Sequence, residues 1–348
     1  MVKLGILAFA NDSGLGNQTR RLVQMLKPYR IMLINATFSK NKQFRKDWYD
    51  GFNGYVVNGF PNNHEVRVFL RGLTHVLCAE NPLNFFLLEQ ARRSGIKSYI
   101  QSNYEFCDNL SDDSLPLPDY FLMPSYWHLD TMIAKYGDRV VYLPPPIDPN
   151  EFVVAREINM NRIGKVRFLH IVGTLAANDR NGTLDLLESL KYTKSDFELV
   201  IRSQHDLPRE YISNDKRIKY IVENASSCED MYKDFDALIL PRRYGGLSLT
   251  TNEALMSGLP VIMPDISPNN ELLGRYPFLV MARKKGEFIT RTKIDIYETN
   301  RIALAEKLDW LCSQPRDRLN KMKVDAFELG YENFSVNKLK PEYDKWLQ

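Results

Sequence analysis

The stretch Pro241-Arg242-Arg243-Tyr244-Gly245-Gly246-Leu247-Ser248-Leu249-Thr250-Thr251-Asn252-Glu253-Ala254-Leu255-Met256-Ser257-Gly258-Leu259-Pro260-Val261-Ile262 decides how this chain is read. An apolar run, Ala237-Leu238-Ile239-Leu240, leads into it with the length and composition of a buried strand. Gly245 and Gly246 then let a ligand approach the backbone. The loop opens a short helix, which ends at Ser257-Gly258 before a second strand at Val261-Ile262. A strand, a glycine loop and a helix start, in that order, aim unpaired N–H groups and the positive end of a helix dipole at a ligand. A diphosphate suits that position. Glu253 lies one to two turns into the helix, where its carboxylate can accept from a vicinal diol such as a ribose.

The same alternation runs outward in both directions. Apolar strands are predicted at Leu4–Phe9, Ile31–Asn35, Tyr55–Val57, His75–Cys78, Ser98–Gln101, Tyr120–Met123 and Val140–Leu143. Helical patterns lie between them, as at Thr19–Leu26, Asn84–Arg93 and Leu129–Lys135. Pro144-Pro145-Pro146 then forms a stiff joint. Pro149 to Lys165 is polar and aperiodic, and is read as a linker. A second series begins at Val166–Val172 and continues through Glu198–Ile201, Ile218–Val222, Ala237–Leu240, Val261–Met263 and Phe278–Met281. Helices near 300–311, 316–329 and 338–347 close the chain. Such alternation predicts an α/β protein with buried parallel strands and covering helices.

The chain has 348 residues, enough for two domains. Its hydrophobic fraction of 44% supports a sizeable core, and 26% charged residues describe a soluble chain. No apolar run reaches bilayer length, and Met1-Val2-Lys3-Leu4-Gly5-Ile6 reads as a first strand rather than a signal peptide. Four scattered cysteines read as thiols of a reducing compartment, so the cytoplasm of a bacterium or phage-infected host is expected. A net charge of +3 leaves local clusters to decide any polyanion binding.

The central stretch resembles the nucleotide-sugar site of GT-B glycosyltransferases, above all family four. That family's pattern reads Glu-Gly-Phe-Gly-Leu-Pro-x-x-Glu-Ala-Met-Ala-x-Gly-x-Pro-Val-Val. Glu253 to Ile262 matches its second half, whereas Gly245 and Ser248 stand where the family has its first Glu and middle Gly. Leu143 to Phe152 resembles the family's interdomain segment, and Asn333-Phe334-Ser335 with Tyr343 its final helix. The resemblance implies two facing Rossmann-like domains with a cleft between them. Residues 1–148 plus 330–348 would form the acceptor side, and 149–329 the nucleotide-sugar side, the last helix crossing back to the first domain.

The resemblance also assigns roles. The donor set is Glu253, Gly245, Gly246, Leu247, Ser248, Thr174, Arg180, Arg202, Arg243, Gly14, Gly16 and Asn17. Thr174 and Asn181 stand where the family has the Arg and Lys that clamp the diphosphate, so Arg180 and Arg202 are the expected substitutes. Gly14-Leu15-Gly16-Asn17 reads as a loop opening the first helix. It lacks a third glycine, and no carboxylate follows the second strand, so NAD is not expected. Asn103 and Glu105 are the catalytic candidates, following a strand where open sheets place ligands. Lys42, Arg45 and Trp48 form the acceptor set, mixing cations with aromatics. Asp234-Phe235-Asp236 matches a structural turn of the family rather than a metal motif, and His170 reads as a core histidine.

The expected activity is transfer of a hexosyl or pentosyl group from a nucleotide-diphosphate sugar to an acceptor hydroxyl, with retention and without a metal. The nucleotide sugar is a substrate, no cofactor is expected, and no obligate protein partner is evident. The acceptor candidates are a hydroxymethylated pyrimidine in phage DNA, an envelope glycan or a lipid-linked glycan, with a protein as a further option. A catalytically inactive binding module and a sugar-nucleotide epimerase or phosphorylase are the competing classes.

Overall fold

The computed structural model describes residues 1–36, 43–110, 114–173, 178–274, 277–290 and 292–347. Among them the chain divides into two compact units. One contains Met1–Pro146, Thr290–Thr292 and Val336–Gln348, the other Ile147–Ile289 and Lys293–Ser335.

The first unit is built on β1 (Leu4–Phe9), β2 (Arg30–Asn35), β3 (Gly54–Asn58), β4 (His75–Ala79), β5 (Lys97–Gln101), β6 (Tyr120–Met123) and β7 (Val140–Tyr142). They form one parallel sheet in the order β3-β2-β1-β4-β5-β6-β7. Helices α1 (Gly14–Leu26), α2 (Asn63–Leu70), α3 (Phe86–Arg93) and α4 (Leu129–Tyr136) connect them. The central strands are buried along their length, as β1 and β4 show, which is why they read as unbroken apolar runs.

The second unit opens on α5 (Val153–Met160) and continues with β8 (Arg167–Ile171), α6 (Thr183–Ser189), β9 (Glu198–Ser203) and β10 (Ile218–Val222). Then come α7 (Cys228–Tyr232), β11 (Ala237–Ile239), α8 (Leu249–Met256), β12 (Val261–Pro264), α9 (Asn269–Leu273) and β13 (Leu279–Val280). The parallel sheet has the order β10-β9-β8-β11-β12-β13. A separate antiparallel hairpin, β14 (Ala282–Ile289) and β15 (Lys293–Thr299), precedes α10 (Arg301–Cys312) and α11 (Arg316–Phe334). The last helix, α12 (Val336–Trp346), belongs to the first unit. There the Tyr343 hydroxyl donates to Pro144 O at 2.9 Å and accepts from Gln101 Nε2 at 2.7 Å.

Two sequence expectations change. The stretch read as a linker, 149–165, contains α5, because Asn159 is buried and used on every side. Its amide donates to Tyr232 O and Ser257 O, and its Oδ1 accepts from Phe235 N–H. Gly14 and Gly16 lie in the first turn of α1 rather than in a preceding loop. A Cβ on Gly16 would stand 1.9 Å from Asn11 O, so the close approach of the helix to β1's end demands glycine there. Arg283-Lys284-Lys285 lies on β14.

Asp234 and Asp236 are structural. The buried Asp236 carboxylate accepts from Arg162 Nη1 at 2.7 Å, Arg316 Nη1 at 2.6 Å, Lys323 Nζ at 2.8 Å and Arg167 N–H at 2.9 Å. Asp234 pairs with Arg162 and Arg167. These cations satisfy the turn that leads into β11. Among the described residues no helix is long and apolar enough to cross a membrane.

Candidate active site

In the second unit the chain builds outward from β8 to β10, then resumes on the other side of β8 at β11. Ligands of open parallel sheets bind at the carboxyl ends of the strands flanking such a switch point. The loops after β8 and β11 therefore frame the candidate donor site. Thr174, one of the expected donor residues, lies outside the described residues.

The β11 loop turns through Gly246, whose φ of 99° is one that a side chain strongly disfavours. Leu247 follows, and Ser248 caps α8, its Oγ accepting from Thr251 N–H at 3.3 Å and from Thr251 Oγ1 at 2.8 Å. Glu253 is 8% exposed, and its Oε2 accepts from the Tyr232 hydroxyl at 2.7 Å. That hydroxyl fixes the carboxylate's orientation. Tyr232 was not singled out from the sequence, since the contact joins two helices that only the fold brings together.

The expected cations separate into groups. Arg180 Nη2 donates to Gly245 O at 2.9 Å, and its guanidinium lies 4.9 Å from the Tyr244 ring centroid. Arg242, 4% exposed, donates to the same carbonyl at 3.3 Å. Arg243 faces the fully buried Asp185, with Nε 3.4 Å from Oδ2, and its N–H donates to Arg180 O at 2.9 Å. Arg202 does not join them. Its Nη1 donates to Asp230 O at 2.7 Å, so it satisfies carbonyls at the end of α7. Asn181 is likewise structural, its amide donating to Ile171 O at 2.9 Å and Val172 O at 3.0 Å.

Asp179 ties this loop to α6. Its carboxylate accepts from Thr183 N–H at 3.0 Å and Leu184 N–H at 2.9 Å. Burial pushes its pKa up to about 6, against the pull of those N–H groups and of Arg243. His170 sits in the core on β8, with Nδ1 2.8 Å from Ile239 O and Nε2 2.8 Å from Thr183 Oγ1. Burial pulls its pKa down to about 4.

The first unit has its own switch point, between β1 and β4. Asn11 and Ser13 form the turn after β1, and Ser13 Oγ accepts from Gly16 N–H at 3.0 Å. Asn17 lies in the first turn of α1, its N–H bonded to Ser13 O. Beyond β4, Glu80 and Leu83 hold φ values of 61° and 59°. Side-chain-bearing residues with such backbone cluster at functional sites. Glu80 was missed in the sequence, where Glu80-Asn81-Pro82 after a strand was the available signal. Asn103 is buried and Glu105 half-buried, after β5, one strand from the switch point.

Of the acceptor set, Lys42 lies outside the described residues. Arg45 is ion-paired with Asp47 at 2.8 Å and Asp12 at 3.2 Å, and its guanidinium lies 4.9 Å from the Trp48 ring centroid. Arg45 is therefore a neutralised cation rather than a free phosphate contact. Arg283 and Lys285 pair with Glu298, and Lys284 with Asp295. Among the described residues no three His, Cys, Asp or Glu side chains group as a metal site.

Comparison with known proteins bears on this arrangement. Residues 167–293 match a family model described as glycosyl transferases group 1. No curated protein sequence matches the chain. A glycosyltransferase from Rickettsia africae ESF-5 superposes with a TM-score of 0.70 at 14% identity, covering 99% of this chain and 97% of the other. Sucrose-phosphate synthase from Thermosynechococcus elongatus gives 0.67 at 12% identity, with 99% and 98% covered. The pneumococcal O-GlcNAc transferase GtfA, in complex with UDP and GlcNAc, gives 0.53 at 15% identity, covering 89% of this chain and 61% of that one. At these identities the likeness is one of fold, and that fold is GT-B: two Rossmann-like units with parallel sheets.

Proposed function

We propose that this chain is a glycosyltransferase that moves a sugar from a nucleotide-diphosphate donor to an acceptor hydroxyl. The observation that carries the reading is Glu253, buried in the first turns of α8 and oriented by Tyr232, beside the Gly245-Gly246 loop. A carboxylate so held suits a ribose diol, and the capped start of α8 suits the diphosphate. The match of residues 167–293 to group 1 glycosyltransferases supports the same assignment. So does the UDP bound by the pneumococcal neighbour.

Charge develops on the departing diphosphate, and Arg180 with the N–H groups at α8 would stabilise it without a metal. Retention follows from the likeness of Glu253–Ile262 to family four, the acceptor hydroxyl entering on the face the diphosphate leaves. Glu80, Asn103 and Glu105 are the polar groups of the first unit assigned to the acceptor. For the acceptor itself we favour a glycan hydroxyl over DNA, because Arg45 is held by Asp12 and Asp47.

A thermal-shift screen of UDP, GDP, ADP, TDP and CMP on wild type and Glu253→Ala tests the donor site. One nucleotide should raise the melting temperature of wild type and leave the variant unmoved. No shift with any of them would instead favour an inactive module. Product NMR with the identified donor then reads the anomeric configuration, and inversion would overturn retention. Sugar release that requires phosphate rather than an acceptor would favour a phosphorylase, and a donor epimerised without transfer an epimerase.

A further inference from the structure

Between β13 and α10 the chain makes an excursion outside both main sheets. β14 and β15 pair with each other from Ala282↔Thr299 to Ile289↔Lys293, with a bulge between Lys284 and Gly286. A lone two-stranded hairpin is marginal in water, so its position must be set by what it packs against. Its charges pair along the strands, Arg283 and Lys285 with Glu298 and Lys293 with Glu287, and exposed pairs of this kind contribute little.

The hairpin meets the glycine loop at two points. Tyr297 N–H donates to Arg243 O at 2.7 Å. The Phe288 ring meets the Tyr244 ring edge-on, with centroids 5.0 Å apart. Tyr244 is 4% exposed and carries the Arg180 guanidinium on its ring, while Arg180 holds Gly245 O. Displacing Phe288 therefore leaves Tyr244 a void to move into, and Arg180 moves with it. At the hairpin's foot, Arg301 reaches Asp185, the carboxylate that also faces Arg243.

We propose that the β14–β15 hairpin braces the glycine loop in its donor-binding shape, with Phe288 and Tyr297 as positioning residues. The inference rests on the donor-site reading above. The two residues act through Tyr244, Arg180 and Arg243 rather than through the donor.

The test combines amide hydrogen exchange of residues 242–249 with nucleotide affinity, in wild type, Phe288→Ala and Phe288→Leu. The probes are UDP, GDP and ADP. Removing an edge-to-face aromatic pair should speed loop exchange and weaken the Kd of the binding nucleotide, each roughly three- to tenfold. Exchange in β8 and β12 should stay as in wild type, and Phe288→Leu should recover part of both effects. Unchanged loop exchange in Phe288→Ala would overturn the brace. A loosened loop with unchanged nucleotide affinity would overturn its service to the donor site. Should wild type bind no nucleotide, the donor-site reading fails by itself, and loop exchange still decides the brace.

Discussion

The two main sheets share one plan and end in different chemistry. Each builds outward from its first strand and resumes on that strand's other side, giving one switch point in each unit. Around the first, between β1 and β4, amides and hydroxyls tie the turn to α1 and β5, with the Arg45–Asp12 ion pair beside them. Asn11 Oδ1 accepts from Ser13 Oγ at 2.5 Å, Thr19 Oγ1 bonds Phe9 O at 3.0 Å, and Gln18 donates to Gln101 at 2.6 Å. Around the second, between β8 and β11, guanidiniums and carboxylates predominate: Arg180, Arg242 and Arg243 beside Asp179, Asp185 and Glu253. A neutral network fixes a loop without projecting a field, whereas an ionic one biases the site toward charged ligands. A shared strand order around the switch point therefore leaves the ligand open, and the side chains there distinguish the two sites. In the function proposed above, the second takes a diphosphate and the first an uncharged hydroxyl.

The largest expected effect tests the ionic side. Glu253→Ala removes a carboxylate proposed to take two ribose hydroxyls. Hydrogen bonds to charged groups contribute about 1.5–3 kcal/mol each, so nucleotide affinity should fall about 100-fold or more. Glu253→Gln keeps an acceptor for the Tyr232 hydroxyl and separates binding from folding. Calorimetric titration gives the number, and a loss under about threefold would remove Glu253 from the donor site.

On the neutral side the expected signature is stability rather than affinity. Gln101→Leu takes partners from Gln18, Leu143 O and Tyr343 together. Buried groups left unpaired should cost about 2 kcal/mol or more, read as an earlier urea midpoint for the first unit. That loss should be nearly independent of salt, because no ion pair is broken. Strong salt dependence would undo the contrast between the two switch points.

Both core sheets were legible in the sequence, because strands covered on two sides are apolar along their whole length. Val166–Val172 became β8 at Arg167–Ile171, and Tyr120–Met123 became β6. What escaped was carried by polar contacts between distant residues. α5 was hidden because a buried asparagine, Asn159, stands where an apolar residue would have marked the helix. The hairpin was hidden because its strands alternate paired charges with few apolar residues. Arg202 looked available because its nearest partner is the main-chain carbonyl of Asp230, which no side-chain pattern reveals. The start of α1 was misjudged because glycine reads as a breaker, whereas Gly16 is required by the carbonyl of Asn11. Gly245-Gly246 and Glu253 could be singled out because the elements around them are contiguous in the chain.

A smaller effect concerns pH and Asp179. Burial raises this carboxyl to about 6, so its ionisation opposes folding. A raised folded-state pKa contributes stability that is complete below the unfolded value near 3.9 and is lost as pH rises through about 6. Asp179→Asn cannot titrate. The stability of wild type relative to this variant should therefore decline between pH 4 and 7. Arg243, Asp185 and Tyr211 share the neighbourhood, and Tyr211 is itself raised to about 12, chiefly by burial, so it stays neutral in this window. Melting temperatures of both proteins across the range check the trend, and parallel curves would mean that the carboxyl titrates as in the unfolded chain.

The smallest expected effect separates the acceptor readings. Arg45 pairs with Asp47 and Asp12, and the Asp47 hydrogen bond holds its guanidinium above the usual range. Exposed pairs contribute at most about 1 kcal/mol, so Arg45→Ala should barely move the melting temperature. If the acceptor were DNA, this cation would have to leave both carboxylates to meet a phosphate, and it would then appear in the salt dependence. Removing one cation that neutralises a phosphate lowers the slope of log K against log salt by about 0.9. An unchanged slope in Arg45→Ala, or no DNA binding by wild type, keeps the acceptor on the glycan side. A slope reduced by about 0.9 would bring DNA back and would place a charged ligand at the switch point assigned here to a neutral one.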